Sequence, residues 1–382
     1  MAAKRSIFEE VGAEKPAGAP APRGGMIDAR PKGARKALRV WLAVLFVLVV
    51  AMISLGGATR LTDAGLSITE WKPVTGALPP MSEADWQAEF QKYQEIPQFA
   101  VQNPNMTLPE FKGIYWWEWS HRQLGRVIGL VWALGFAGFA ATRRIPPGWS
   151  RRFWLIGLLG GAQGAIGWWM VSSGLGGGMT SVASYRLSVH LGLGFTILGF
   201  IAWYMLALSR SESQLLQARR LAEPRLFGLA TGVLHLAFLQ VLLGALVAGI
   251  DAGRGFTDWP WMGGQFLPPD PFSLSPLWRN FFEDPGLVQF IHRCTGYLLF
   301  AFGLFATFRA RSSAHAATRT AFAWMGAWLL VQLVLGIVTV MHGAPLALGL
   351  AHQLGAVVLW VLILRARFAA RYPQVQSIRG TK

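Results

Sequence analysis

Eight long apolar stretches divide this chain of 382 residues and restrict its fold more than any other feature. Each is close to the roughly 20 apolar residues that a helix needs to cross the hydrocarbon core of a bilayer. Only 14% of the residues are charged and 53% are hydrophobic, which is far from soluble-domain averages. The sequence therefore predicts an all-α membrane protein with eight transmembrane helices. The expected spans lie near 40–57, 122–141, 153–173, 187–208, 226–249, 287–308, 320–341 and 347–364.

The formal net charge of +16 could suit a nucleic-acid-binding protein, but the basic residues do not gather on one face. They lie in both tails and in alternate short loops, which the positive-inside rule places in the cytoplasm. The N-terminal tail also holds Glu9, Glu10 and Glu14, unlike mitochondrial transit peptides, and shows no cleavable signal peptide. We expect a multi-pass protein of a bacterial inner membrane, surrounded by lipid, with both termini cytoplasmic and no nucleic-acid partner.

Comparison of the chain with itself reveals two related halves. Residues 121–125 and 292–296, which open the second and sixth predicted spans, share the pattern His-Arg-x-x-Gly. Two spans later in each half comes another histidine near the start of its span, His190 or His352. The third and seventh spans also share a Gln-x-x-x-Gly pair, formed by Gln163 with Gly167 and by Gln332 with Gly336.

This repeat predicts two pseudo-symmetric four-helix bundles. Because each half has an even number of spans, both keep the same orientation, and the four repeated histidines should share one depth near the periplasmic surface. The predicted order is a basic cytoplasmic tail (1–39), an N-terminal bundle (40–208), a cytoplasmic linker (209–225), a C-terminal bundle (226–366) and a cytoplasmic tail (367–382).

Two histidines in each half suggest paired ligands. A lone intramembrane histidine is often only an interhelical contact, whereas a pair on facing helices can hold a heme iron from both axial sides. Zinc sites usually add Cys, Asp or Glu at close spacing, which this pattern lacks. A glycine three or four residues after each histidine would leave room for a porphyrin: Gly125, Gly194, Gly296 and Gly355. We predict iron ligation by His121 with His190 and by His292 with His352.

The halves differ three residues before each leading histidine, where the first has Glu118 and the second has Gln289. A carboxylate beside a heme edge can accept a proton or stabilise positive charge, whereas an amide cannot titrate. This predicts a reactive N-terminal heme and a C-terminal heme that only carries electrons; a solvated glutamate at the interface is the alternative. Candidate partners for heme propionates are Arg60, Arg122 and Arg293, with snorkelling to lipid headgroups as the alternative for each.

The first outer loop carries the most distinctive motifs. Residues 56–62 read Gly-Gly-Ala-Thr-Arg-Leu-Thr, 65–67 read Gly-Leu-Ser, and 70–76 read Glu-Trp-Lys-Pro-Val-Thr-Gly. Its glycines and prolines predict a tightly turned, ordered structure rather than a helix. Together with Glu118-x-x-His121-Arg122-x-x-Gly125-Arg126, these motifs strongly resemble the heme A synthase family, over about residues 40–366.

The resemblance implies oxidation of the C8 methyl group of heme O to the formyl group of heme A, by two hydroxylations and loss of water, for aa3-type oxidases. It implies that His121 and His190 face the substrate heme with Glu118 assisting, and that His292 and His352 ligate a heme b cofactor. Implied partners are heme O synthase and cytochrome oxidase assembly factors; a homo-oligomer stays open. Some relatives carry a cysteine pair in the outer loops, but this chain has Cys294 alone, so no thiol step is implied.

The duplicated histidines alone would equally suit a membrane electron carrier with two bis-histidine b-type hemes, linked to quinol. The difference between Glu118 and Gln289, together with the first-loop motifs, favours the enzyme. A transporter is less favoured, because such proteins carry unwound or charged segments near mid-membrane and these spans have none.

Overall fold

The computed structural model describes residues 32–374, and within that range the chain is built from α-helices. The helices are α1 (Lys32–Leu61), α2 (Glu83–Gln94), α3 (Pro97–Gln102), α4 (Leu108–Ala141), α5 (Ser150–Val171), α6 (Ser184–Ala207), α7 (Glu212–Arg219), α8 (Pro224–Gly249), α9 (Asn280–Glu283), α10 (Pro285–Ala310), α11 (Ala316–Met341) and α12 (Leu346–Arg371).

Eight of these helices are long and apolar enough to cross a membrane, which confirms the predicted all-α fold with eight spans over the described range. They are α1, α4, α5, α6, α8, α10, α11 and α12. Each has at least 22 residues, more than the roughly 20 that a bilayer core requires. The chain is therefore a multi-pass membrane protein.

The second span begins much earlier than the sequence predicted, at Leu108 instead of residue 122. A capping box starts it, in which Glu110 accepts a hydrogen bond from the Thr107 backbone N–H, and Pro109 occupies the first turn. The hydropathy of the sequence did not reveal this segment, because residues 108–121 mix charged and aromatic side chains. His121 therefore lies well inside α4 rather than at its start.

The first outer segment is also more helical than predicted. Its leading motif is the last part of α1, and α2 and α3 follow it. Trp86, Phe90 and Tyr93 share one face of α2 and pack on Phe111 and Tyr115 of α4. The three- and four-residue spacing of those aromatic residues is the helical signal that the glycine and proline content of the loop concealed. We call residues 62–107 the first cap and residues 250–284 the second cap.

The spanning helices form two groups that are consistent with the predicted bundles. In the N-terminal half α1 packs on α4 and α6, and α5 packs on α6; in the C-terminal half α8 and α11 each pack on both α10 and α12. The halves meet mainly where α6 contacts α8 and where α12 contacts α1 and α6. Small residues allow this close approach: Ser188 donates to the Leu242 carbonyl oxygen at 2.9 Å, and Gly199 lies against Trp360.

On the side of the molecule opposite the caps, the linker (209–225) contacts the C-terminal end of the described chain. Arg210, before α7, donates to the Tyr372 carbonyl oxygen at 2.8 Å, and the Glu223 N–H donates to the Ala370 carbonyl oxygen at 2.9 Å. We call this side the basic face, because the arginine-rich loops lie there. Most of the predicted N-terminal tail, residues 1–31, and the end of the C-terminal tail, residues 375–382, lie outside the described residues.

Candidate functional site

The four predicted ligands form two pairs, one in each half. His121 on α4 interacts electrostatically with His190 on α6, and His292 on α10 does so with His352 on α12. In each half the two histidine-bearing helices stand at opposite corners, since both pack on the two helices that lie between them. Imidazoles that approach one another from opposite corners of a bundle suit a flat group bound between them. Among residues 32–374, no three His, Cys, Asp or Glu side chains converge on a common point.

Each histidine ring lies against a glycine of a neighbouring helix. A Cβ at Gly56 would lie 3.1 Å from His121, and a Cβ at Gly167, Gly244 or Gly336 would lie 2.9, 3.1 or 3.0 Å from His190, His292 or His352 in that order. Those distances are tighter than ordinary van der Waals contact. Glycine at these four positions is therefore what allows each imidazole to sit beside the neighbouring backbone.

Three of the four histidines are held by a glutamine amide from the same neighbouring helix. Gln163, Gln240 and Gln332 donate to the carbonyl oxygens of His190, His292 and His352 at 2.9, 3.0 and 2.8 Å. The Oε1 atom of each glutamine is buried without a protein partner. Buried polar atoms usually have a hydrogen-bond partner, so these three repeated exceptions make the positions candidates for contact with a bound group.

This arrangement was only partly predicted from the sequence. Gln163 with Gly167 was matched to Gln332 with Gly336, but Gln240 with Gly244 on α8 was not recognised. The usable signal was a Gln-x-x-x-Gly pair one helix before a histidine. The unit that repeats is therefore one pair of consecutive spanning helices, whereas the repeat predicted from the sequence has four.

The glycines that follow the histidines have a different role from the expected one. Instead of facing open space for a porphyrin, Gly194, Gly296 and Gly355 face the glutamine side chains, and Gly125 faces the terminal methyl group of Met52. The glycine one turn after each histidine thus makes room for a side chain of the neighbouring helix. The glycine spacing alone could not distinguish these two uses.

Glu118 is buried, with 3% of its surface exposed, and both of its carboxylate oxygens are hydrogen-bonded. One carboxylate oxygen accepts from the Ser67 hydroxyl at 2.8 Å and from the Ile68 N–H at 2.9 Å. The other accepts from Arg122 Nε at 3.0 Å and also pairs with an Arg122 terminal nitrogen. Glu118 is therefore an ion-paired anchor between α4 and the first cap rather than a solvated surface carboxylate.

The C-terminal half uses an amide for the same purpose. Gln289 is buried and donates to the Phe256 carbonyl oxygen at 3.0 Å, and Arg293 donates to that oxygen and to the carbonyl oxygens of Asp258 and Trp261. Gln289 and Arg293 thus hold the second cap through its backbone carbonyl oxygens. The difference that the sequence suggested between Glu118 and Gln289 becomes, in three dimensions, a charged anchor in one half and a neutral one in the other.

The three predicted propionate partners are already engaged by protein groups. Arg122 donates to the carbonyl oxygens of Ile68 and Glu70, and Arg293 holds the second cap. Arg60 has 12% of its side chain exposed and contacts Asp63 and Asp251 at 2.8 Å each. Its Nε and that of Arg293 are buried without a partner, so each has one donor left. Propionate binding by these residues stays a prediction.

The Arg60–Asp251 pair joins the end of α1 to the start of the second cap, across the two halves. We expect Asp251→Asn to lower the melting temperature by roughly 2 °C, since a half-exposed ion pair contributes about 1 kcal/mol. Asn also tolerates the left-handed backbone at this position, where φ is 53°. Asp63→Asn, which removes the contact within one half, is the matched control. Equal melting temperatures for wild type and Asp251→Asn would contradict a bracing role.

Charges within the caps hold them in a defined shape. Hydrogen bonds from Lys72 and Lys92 lower the pKa of Glu70 to about 2, and the N–H groups of Gly264 and Gly263 lower the pKa of Asp258. A carboxylate whose pKa is lowered in the folded state stabilises the fold at pH values above its ordinary pKa. This stabilisation is lost as the pH falls toward the folded-state pKa. Both carboxylates are therefore ionised at neutral pH.

The three remaining histidines lie apart from the two sites. His235 is an exposed residue in the middle of α8, and His315 and His342 are at the ends of α11. Cys294, two residues after His292 on α10, is exposed.

The sequence model of a family described as "Cytochrome oxidase assembly protein" matches residues 39–364 of the chain. Proteins named heme A synthase from Ruegeria sp. (strain TM1040) and Paracoccus denitrificans (strain Pd 1222) are 66% and 64% identical to it, over 98% and 99% of this chain and 99% of each relative. Another, from Ruegeria pomeroyi, is 66% identical over the full length of both chains. This chain is therefore a member of the cytochrome oxidase assembly protein family that contains the heme A synthases.

Proposed function

We propose that this protein is a heme A synthase, a membrane oxidoreductase that converts the C8 methyl group of heme O to a formyl group by successive hydroxylations. The observation that carries the proposal is the pairing of His121 with His190 and of His292 with His352, in a chain 66% identical over its length to a protein of that name. The formyl heme would equip aa3-type terminal oxidases.

The residues of the C-terminal pair fit a resident heme b. Gly244 and Gly336 lie against the two imidazoles. The side-chain amides of Gln240 and Gln332, whose oxygens are buried without a protein partner, lie with their nitrogens 3.1 Å from Nδ1 of His292 and His352. A histidine bound to a metal commonly donates its other N–H to such a group. Heme b held by His292 and His352 would supply one-electron transfer. Arg293 is its candidate propionate partner.

We infer that the N-terminal pair, His121 and His190, receives the substrate heme O. The charged anchor distinguishes this half: Glu118 holds Arg122 and the turn at Ser67 and Ile68, so the first cap is fixed to α4 within one helical turn of His121. The cap would exclude water, and the carboxylate would supply a fixed negative charge beside the site. Arg60 and Arg122 are the candidate propionate partners here.

We place the basic face in the cytoplasm and the caps in the periplasm of a bacterial inner membrane. Arginines at 143, 144, 151, 152, 219, 220, 309 and 311 support this orientation. Both heme sites then lie near the periplasmic side, and both termini are cytoplasmic. Proposed partners are heme O synthase, which would supply the substrate, and oxidase assembly factors. A homo-oligomer is compatible with this arrangement.

A di-heme electron carrier is the second candidate function, and it is favoured because each half holds a histidine pair whose rings lie against glycines of neighbouring helices. The two functions differ in what happens to heme O. The protein is to be expressed with heme O synthase in cells that lack their own heme A synthase, and the extracted hemes separated by chromatography. Heme A formation is the expected result. Unaltered heme O, in membranes that contain folded protein with bound heme, would support the carrier instead.

A further inference from the structure

A two-helix unit repeats four times in residues 32–374, and one copy differs at a single informative position. In three units the first helix carries Gln-x-x-x-Gly and the second presents a histidine to that glycine. In the unit formed by α1 and α4, Gly56 faces His121 in the same way, but the residue four positions before the glycine is Met52.

The glutamines constrain both the backbone and the ring of their histidines. Besides donating to the histidine carbonyl oxygen, the amide nitrogens of Gln240 and Gln332 lie 3.1 Å from Nδ1 of His292 and His352. The Gln163 amide nitrogen lies 3.4 Å from Nε2 of His190. Hydrogen bonds in an apolar bundle are stronger than in water, because no water competes for the donors and acceptors. Each of these rings is therefore tied to a neighbouring helix.

His121 has no such tie. A thioether cannot donate a hydrogen bond, and the Met52 methyl group only fills the space beside Gly125. The ring also has a different orientation. Its Nε2 and Cδ2 atoms are nearest to Gly56, whereas in the other three units the Cε1 atom is nearest to the glycine.

We propose that residue 52 determines whether the iron ligand on the following helix is locked or displaceable. Glutamine at the equivalent position locks His190, His292 and His352; methionine leaves His121 free to rotate away from an iron. The N-terminal heme would then offer an open coordination position to a small neutral ligand, and the C-terminal heme would not. This inference rests on the heme binding of the proposed function and identifies its reactive iron.

Carbon monoxide is the probe, because it binds reduced heme iron only where an axial position is open. Full-length protein carrying heme in both bundles is reduced and titrated with the gas, and the absorption spectrum is followed. In wild type we expect one of the two hemes to respond. Met52→Gln should weaken carbon monoxide binding by about tenfold or more, the scale on which groups that orient a metal ligand act. Ala51→Gln, which places the same amide on the exposed neighbouring position of α1, should behave as wild type.

The reciprocal variant, Gln240→Met, should make the C-terminal heme responsive as well, and it decides the question if Met52→Gln does not fold. Wild-type titrations in both variants would overturn the proposal, as would a wild type in which neither heme binds the gas. The titration uses bound heme of either kind and involves no turnover. A protein that responds as expected but forms no heme A would therefore overturn the proposed function alone.

Discussion

Replacing His292 with alanine is expected to empty the C-terminal bundle of heme and to reduce heme A formation to background. Removing one of two axial ligands leaves the iron with a single protein ligand. No other His, Cys, Asp or Glu cluster in residues 32–374 could replace it. Heme content per chain, measured on purified protein by pyridine hemochrome spectra, should fall to the N-terminal heme alone. His352→Ala should have the same effect, since both imidazoles serve one iron.

His235→Ala is the matched control for this pair, because His235 is an exposed histidine on α8 away from both sites. It should keep full heme content. The opposite-half variants, His121→Ala and His190→Ala, should retain the C-terminal heme and its spectrum while losing heme A formation. Retention of both hemes in His292→Ala would contradict the assigned ligand pairing.

Glu118→Gln is expected to reduce heme A formation by at least about 10²-fold while leaving the C-terminal heme spectrum unchanged. Glutamine preserves the shape of the anchor, as Gln289 demonstrates in the other half, but it removes the charge that pairs with Arg122. Breaking a buried ion pair by neutralising one partner costs about 3 kcal/mol, so the melting temperature should also fall. Heme extraction and thermal unfolding are the two measurements.

The matched control is Glu110→Gln, which neutralises a carboxylate on the same helix that only caps its start. A second variant, Ser67→Ala, removes one hydrogen bond to Glu118 but keeps the charge, so it should lower stability with little effect on heme A formation. Full activity in Glu118→Gln would show that the charge of this anchor has no part in the reaction.

The spans and the histidine pairs were predictable because each depends on a strong one-dimensional signal. Eight apolar runs identify the helices, and two copies of His-Arg-x-x-Gly place His121 and His292 at equivalent positions. The predicted outer boundary of the second span is wrong. Residues 108–121 form part of α4 because aromatic residues of the first cap pack on Phe111 and Tyr115, a tertiary effect that hydropathy does not register.

The surroundings of the ligands were harder to predict, because they depend on which helix faces which. The sequence suggested that Glu118, Arg122 and Arg293 face a heme, and each is in fact bound to cap residues. The glycines after the histidines likewise accommodate neighbouring side chains. Gln240 was overlooked because a lone Gln-x-x-x-Gly in an apolar helix is unremarkable until a histidine is seen opposite it.

A cryo-EM map of the purified protein with its bound heme would test the paired ligation most directly. The iron density in the C-terminal bundle is expected between the imidazoles of His292 and His352, with the porphyrin lying across the bundle between α8 and α11. Heme density outside the bundles, or an iron with neither histidine as a ligand, would contradict the proposed site.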